Sequence, residues 1–278
     1  MVQPLYWSLV ILSPASIPSS PVLPLPSSDA SSSGSAGVSS PPSRVDFSQR
    51  AELVEMMDRP CSYEELRACL HDIARVNRLT FAHRPTISWM EELVAANPQT
   101  KSLRVVDVGC GYGDTLRKID AWAAKRGIAV ELTGIDLNPD AIRAAKEATP
   151  PAQCIEWIVG DALSDATTGE IDVVVCSLLT HHLTDSQIVQ FLQWMEGTAR
   201  FGWFINDLHR QRVPYHLFRL LARFTNWHPF VKHDGPASIR RSFVVEDWQK
   251  LCAAAGLDEE TVSIREYRPA RLCVGQAK

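Results

Sequence analysis

Residues 103–114 read Leu103-Arg104-Val105-Val106-Asp107-Val108-Gly109-Cys110-Gly111-Tyr112-Gly113-Asp114. The apolar run Leu103–Val108 has strand composition, and the glycines that follow stop it in a tight turn. Beyond the turn Leu116, Ile119 and Ala123 share one helical face. Working outward, the same unit recurs. Val130–Ile135 is a second strand ending at Asp136, followed by Asn138-Pro139, an N-cap with proline at the first helical position, and a helix carrying Ile142 and Ala145. Cys154–Val159 is a third strand closed by Gly160-Asp161. Ile171–Cys176 is a fourth, apolar throughout as a central parallel strand should be. Thr184 and Gln187 form a capping box ahead of Ile188, Phe191, Leu192 and Met195, and Phe201–Ile205 is a fifth strand.

Strands alternating with helices over short connections predict an α/β fold: a Rossmann-like, doubly wound, mainly parallel sheet. N-terminal helices precede it. Ser62 and Glu65 form a capping box, Leu66, Cys69, Leu70 and Ile73 follow in register, and Pro85 opens a second helix through Leu93. After the fifth strand the rhythm breaks into a helical insert. A helix over Asp247–Ala255, stopped by Gly256, and a C-terminal antiparallel hairpin (Thr261–Tyr267 with Arg271–Gly275) close the chain. The expected organisation is a disordered Ser/Pro-rich tail over 1–45 and one domain over 46–278. That domain divides into helices (46–100), a cofactor-binding core (101–206), a helical lid (207–242) and the closing helix and hairpin (243–278).

Composition narrows the function classes. Among 278 residues, 45% are hydrophobic and 22% charged, so a full core is available. The formal net charge of −4 disfavours a nucleic-acid partner. The seven cysteines form no C-x-x-C pair and no zinc-type spacing, so they read as buried apolar groups in a reducing, cytoplasmic setting and no metal is expected. The apolar run Tyr6–Leu12 has no preceding Lys or Arg and is too short to span a bilayer, so it reads as neither signal peptide nor anchor.

Open α/β sheets bind ligands beyond the carboxyl ends of their strands, where Asp107, the glycine turn, Asp136 and Asp161 all fall. A carboxylate at Asp136 can accept both hydroxyls of a ribose, and one at Asp161 can reach an adenine amine. The turn lacks the Lys-Ser/Thr ending of a phosphate loop, and Asp114 occupies the last place of a dinucleotide fingerprint, where it would repel a pyrophosphate.

This pattern resembles class I S-adenosylmethionine-dependent methyltransferases over roughly residues 100–276. The motifs are Val105–Asp114, Gly134-Ile135-Asp136, Val159–Ala162 and Asp172–His182. The resemblance implies S-adenosyl-L-methionine as cofactor. Asp107, Gly109, Cys110, Gly111 and Gly113 would lie at its methionine portion, Asp136 with Leu137 at the ribose, Asp161 with Ala162 at the adenine, and Ser177 nearby. Leu53–Pro60, Leu70–Leu79, Asn206–Arg210 and His233–Pro236 further resemble methyltransferases encoded beside bacterial type III polyketide synthases. That narrower likeness implies O-methylation of a phenolic lipid or polyketide hydroxyl and a synthase as partner.

A phenol must lose its proton as it is methylated, and histidine is the natural base. His181 and His182 follow the fourth strand and His209 follows the fifth. Each has a plainer reading: His181-His182 as a packing wall that caps the next helix, His209 as a structural hydrogen-bonding group. His233 beside Asp234 is a further candidate. The insert carries Arg210, Arg212, Arg219, Arg223, Lys232, Arg240 and Arg241 around Leu217, Phe218, Leu220, Leu221 and Phe224. It reads as a lid over a small hydrophobic acceptor, or as a basic amphipathic helix making peripheral membrane contact. Competing functions are C-methylation of a quinone-like precursor and a non-catalytic, cofactor-binding partner of a synthase. N-methylation is disfavoured, because Ser177–His181 replaces the Asn/Asp-Pro-Pro-aromatic run.

Overall fold

The computed structural model describes residues 45–164 and 169–278. The Ser/Pro-rich tail expected to be disordered lies outside the described residues. In chain order the described elements are α1 (Tyr63–Leu79), α2 (Arg84–Ala96), β1 (Ser102–Val108), α3 (Asp114–Arg126), β2 (Ala129–Asp136), α4 (Pro139–Ala148), β3 (Ile155–Val159) and β4 (Ile171–Ser177). They continue with α5 (Asp185–Thr198), β5 (Ala199–Leu208), α6 (Arg212–Phe224), α7 (Pro229–Arg241), α8 (Val245–Ala254), β6 (Ser263–Tyr267) and β7 (Arg271–Ala277).

The strands form one seven-stranded sheet in the order β3-β2-β1-β4-β5-β7-β6. The first five run parallel, and β7 pairs antiparallel with both β5 and β6. The winding reverses between β1 and β4, so a crevice opens beyond their carboxyl ends.

The predicted caps are in place. Ser62 accepts from the Glu65 amide while Glu65 accepts from that of Ser62, and Thr184 and Gln187 exchange the same bonds at α5. The sheet is covered on both faces, as a parallel sheet requires. Trp203 packs with Ile188, Phe191 and Trp248 of α5 and α8. Its neighbour Phe204 packs with Trp89, Leu116 and Ile119 of α2 and α3. Adjacent residues of β5 thus serve opposite cores, the period-two signature of a strand.

The insert differs from a single lid helix. Two helices, α6 and α7, are separated at Thr225–His228 by the buried Trp227. Asp72 of α1 accepts the His228 amide at 2.7 Å, and Pro229 then restarts the helix. Cys69, Ile73 and Val76 of α1 pack against Phe218, Ala222, Trp227 and Val231 of the insert. Two of its arginines are structural rather than exposed: Arg210 donates to Asp247, and Arg241 to Asp58. Among the described residues no helix is long and apolar enough to cross a membrane.

Candidate active site

A cavity of about 390 Å³ lies beyond the carboxyl ends of β1, β2 and β4, roofed by α1, α6 and α7. Its floor is the glycine turn. The amides of Gly109 and Cys110 both donate to the Ile135 carbonyl at 2.9 and 3.1 Å. The Gly111 amide donates to Asp136 Oδ2 at 2.9 Å, and that of Gly113 to the Cys110 carbonyl at 2.7 Å. A loop whose amides are spent internally is no anion nest, which argues against phosphate. Gly113 takes φ +73°, and a Cβ there would fall 2.2 Å from the Trp157 ring. At Gly111 the nearest atom to an added Cβ is 3.9 Å away, so the backbone is open to a ligand.

Asp136 ends β2 almost fully buried, and its other oxygen accepts the Asn138 amide at 2.9 Å. Burial pushes its carboxyl up to about 6. Both oxygens keep a lone pair for the vicinal hydroxyls of a sugar. Asp107 is buried, and its Oδ1 has no partner among the described residues; burial, with Asp114 and Asp136 nearby, holds its carboxyl well above the usual range. An orphaned oxygen here is what a cationic amino-acid group would satisfy. Asp114 opens α3 between Asn77 and His83, at 3.2 and 3.0 Å. Burial would raise its carboxyl, but the His83 and Asn77 contacts outweigh this and lower it, so negative charge stands where a pyrophosphate would sit. These features fit a nucleoside with a cationic amino-acid tail.

Of the residues singled out from sequence, Asp107, Gly109, Cys110, Gly111, Asp136, Ser177, His181 and His182 all line the cavity. Gly113 lies under the turn against Trp157. Leu137, Asp161 and Ala162 lie outside this lining, although the Gly160 amide donates to the Asp136 carbonyl at 3.0 Å and keeps Asp161 near the end of β2.

His209 is not among the residues that line the cavity. Leu208 turns into the cavity, and the pleat sends its neighbour the other way. The His209 ring meets Gln211 at 3.4 Å and Glu266 at 3.7 Å instead, and burial lowers its pKa. Asp207 serves a different histidine. Buried under β4, it accepts from Thr180 Oγ1, the amides of His181 (3.0 Å) and Leu208 (2.7 Å), and His181 Nδ1 at 2.7 Å. Burial alone would raise its carboxyl, yet these donors hold it far below the ordinary range. An ionised Asp207 only accepts, so His181 donates to it from Nδ1, and Nε2 faces Glu55.

His182 lies against His181, their ring centroids 4.3 Å apart. Two acids that sequence reading missed complete this wall. Glu55 is 1% exposed, with Oε1 3.9 Å from His181 Nε2 and Oε2 3.8 Å from His182 Nε2. Asp58 stands 3.5 Å from His182 Nδ1. Burial opposes its ionisation, but His182 and Arg241 draw its carboxyl down to about 2. Asp234 holds this acidic turn by accepting the amides of Met56 and Met57. His233 is half exposed, bonded to Asp234 at 2.7 Å, and lies outside the cavity lining.

Residues 105–200 match the family model described as a methyltransferase domain. The ubiquinone biosynthesis O-methyltransferase of Methylococcus capsulatus is 27% identical over 54% of this chain and 65% of its own length. The trans-aconitate 2-methyltransferase of Afipia carboxidovorans is 28% identical over 40% of each chain. The chain thus spans 40% and 65% of the length of these two relatives. The solved plantazolicin methyltransferase BpumL in complex with SAH shares the fold, with a TM-score of 0.55 at 14% identity over 77% of this chain and 96% of that one. The sheet order and the glycine turn with Asp136 agree with that match: residues 105–200 are similar to a methyltransferase domain, on a fold shared with solved methyltransferases.

Proposed function

We propose that the protein transfers a methyl group from S-adenosylmethionine to the hydroxyl of a small hydrophobic acceptor, a phenol or similar polyketide product. The observation that carries this reading is one continuous cavity with two chemistries. Its floor is the Gly109–Gly111 turn with Asp107 and Asp136, and its far wall combines apolar side chains with His181 and His182. S-adenosylmethionine supplies an electrophilic methyl carbon on a sulfonium.

Asp136 would hold the ribose, Asp107 would face the amino-acid tail, and Asp161 with the Ala162 amide would read the adenine. Phe218, Val231 and Ile239 would enclose an apolar acceptor and exclude water, with Leu217 and Leu221 at the exposed mouth, leaving alignment as the main source of rate. The hydroxyl would be activated at the Glu55–His181–His182 wall, where His181 Nε2, oriented by Asp207, is free to take its proton. The apolar lining suits a lipophilic phenol better than a polyacid. The exposed side of α6, which shows Val213, Leu217, Leu220, Leu221 and Phe224 beside Arg219 and Arg223, suits delivery of such a phenol from an anionic membrane surface.

The test is transfer of labelled methyl from cofactor to a panel of alkylresorcinols and simple phenols, with the methylated atom identified. Labelled aryl methyl ethers are expected. Clear transfer to carbon or nitrogen alone would defeat the reading.

A further inference from the structure

We propose that the Glu55–His181–His182 wall is a binding site for one divalent transition-metal ion of the zinc or iron type, open to the acceptor cavity. The ligand atoms of these three residues all lie within 4.8 Å of one another. Two imidazoles and one carboxylate suit zinc or ferrous iron better than magnesium or calcium, which prefer all-oxygen sets. Three protein ligands with a free position facing a cavity is the arrangement of a catalytic rather than a structural ion.

The contacts around the wall support the assignment. His181 Nδ1 is bonded to Asp207 at 2.7 Å, and His182 Nδ1 faces Asp58 at 3.5 Å. A carboxylate stands behind each imidazole and leaves Nε2 facing forward, as is usual for metal-bound histidine. Both Nε2 atoms then point at the Glu55 carboxylate. The gaps, 3.9 and 3.8 Å, are too long for a proton to bridge directly. They are close to the separation of about 3.4 Å that ligands 2.1 Å from a tetrahedral zinc would have. Charge agrees as well. Of the carboxylates that meet the two histidines, Glu55 and Asp58 share the guanidinium of Arg241, at 3.3 and 3.2 Å, while Asp207 serves His181. Arg241 and the Ser238 hydroxyl both approach Glu55 Oε1, so Oε2 remains turned to His182.

This inference rests on the proposed hydroxyl chemistry only for its consequence. An acceptor oxygen bound to the ion would ionise there and release its proton to water. Its lone pair would then form the bond to the methyl carbon as the carbon–sulfur bond breaks and its electron pair stays on sulfur. Ionisation at the ion replaces proton capture by His181.

The full chain, stripped with EDTA and dialysed, should take up one equivalent of Co²⁺ by elemental analysis and show visible d–d absorption. Zn²⁺ should displace the Co²⁺. His182→Gln and Glu55→Gln should each weaken uptake at least about tenfold, and exposed His216→Gln should not. S-adenosylhomocysteine calorimetry on each variant separates loss of the ion site from loss of the fold and tests the cofactor site independently. The half-buried His182 keeps the test decisive if Glu55→Gln does not fold. No stoichiometric uptake by the wild type, or uptake unchanged in His182→Gln, overturns the proposal, and the wall is then a proton-binding cluster.

Discussion

Replacing Asp136 by alanine strikes the link between fold and cofactor. In the unliganded protein its carboxylate accepts two amides, Gly111 and Asn138, each at 2.9 Å, and so ties the end of β2 to the glycine turn. With cofactor bound it would also accept the ribose hydroxyls. Losing one charged hydrogen-bonding group costs about 1.5–3 kcal/mol of binding. That corresponds to a roughly 10- to 150-fold loss of affinity. Asp136→Asn keeps the shape and one acceptor oxygen but turns an amide group toward a backbone donor, so it should fall between wild type and alanine. The assay is calorimetry with S-adenosylhomocysteine, run beside urea unfolding, because the freed Gly111 and Asn138 amides will also lower stability. Both variants binding within threefold of wild type, with the fold intact, would refute the reasoning.

Asp136 also sets a pH dependence. Its carboxyl is pushed up to about 6, and the ionised form is the one that grips the ribose, so cofactor affinity should weaken as pH falls through 6, by up to about tenfold per unit; a flat profile between pH 5 and 7.5 would count against it. Stability of the unliganded protein should move the opposite way. The folded state holds this proton more tightly than the unfolded chain, so the contribution of Asp136 declines as pH rises from about 4 past 6. His209→Ala should change turnover less than about threefold, whereas His181→Ala should lower kcat by about 10²–10⁴; the reverse ranking would return the chemistry to the end of β5. Leu220→Ser with Phe224→Ser should abolish co-sedimentation with vesicles containing phosphatidylglycerol while leaving S-adenosylhomocysteine affinity intact; a wild type that ignores such vesicles removes the membrane reading of α6.

What the sequence made legible was local. The capping boxes at Ser62 and Thr184, the turn after Val108 and the acid ending β2 are written in adjacent residues, because caps and turns are satisfied by neighbours. What it concealed depends on distant parts of the chain meeting. Glu55 lies in a short irregular segment that no periodicity marks, and its importance comes from packing on His181, His182 and Ser238. Asp207 and His209 look like partners in the sequence, but the end of β5 places Asp207 against His181 and leaves His209 buried beside Gln211 and Glu266, away from the cavity lining. Arg210 and Arg241 read as surface charge until Asp247 and Asp58 come to face them. Pro229 marks the α6–α7 break locally, but the packing of Trp227 on α1 that holds the break depends on the distant helix.

The central claim is that the turn at Gly109–Gly113 and the carboxylate of Asp136 cradle a sulfonium nucleoside. A crystal structure with S-adenosylhomocysteine tests it most directly. The account predicts both ribose hydroxyls within hydrogen-bonding distance of Asp136, the amino-acid tail against Gly109–Gly111, and the sulfur directed toward His181 and His182. A nucleoside bound away from Asp136, or no binding at millimolar concentration, would contradict it.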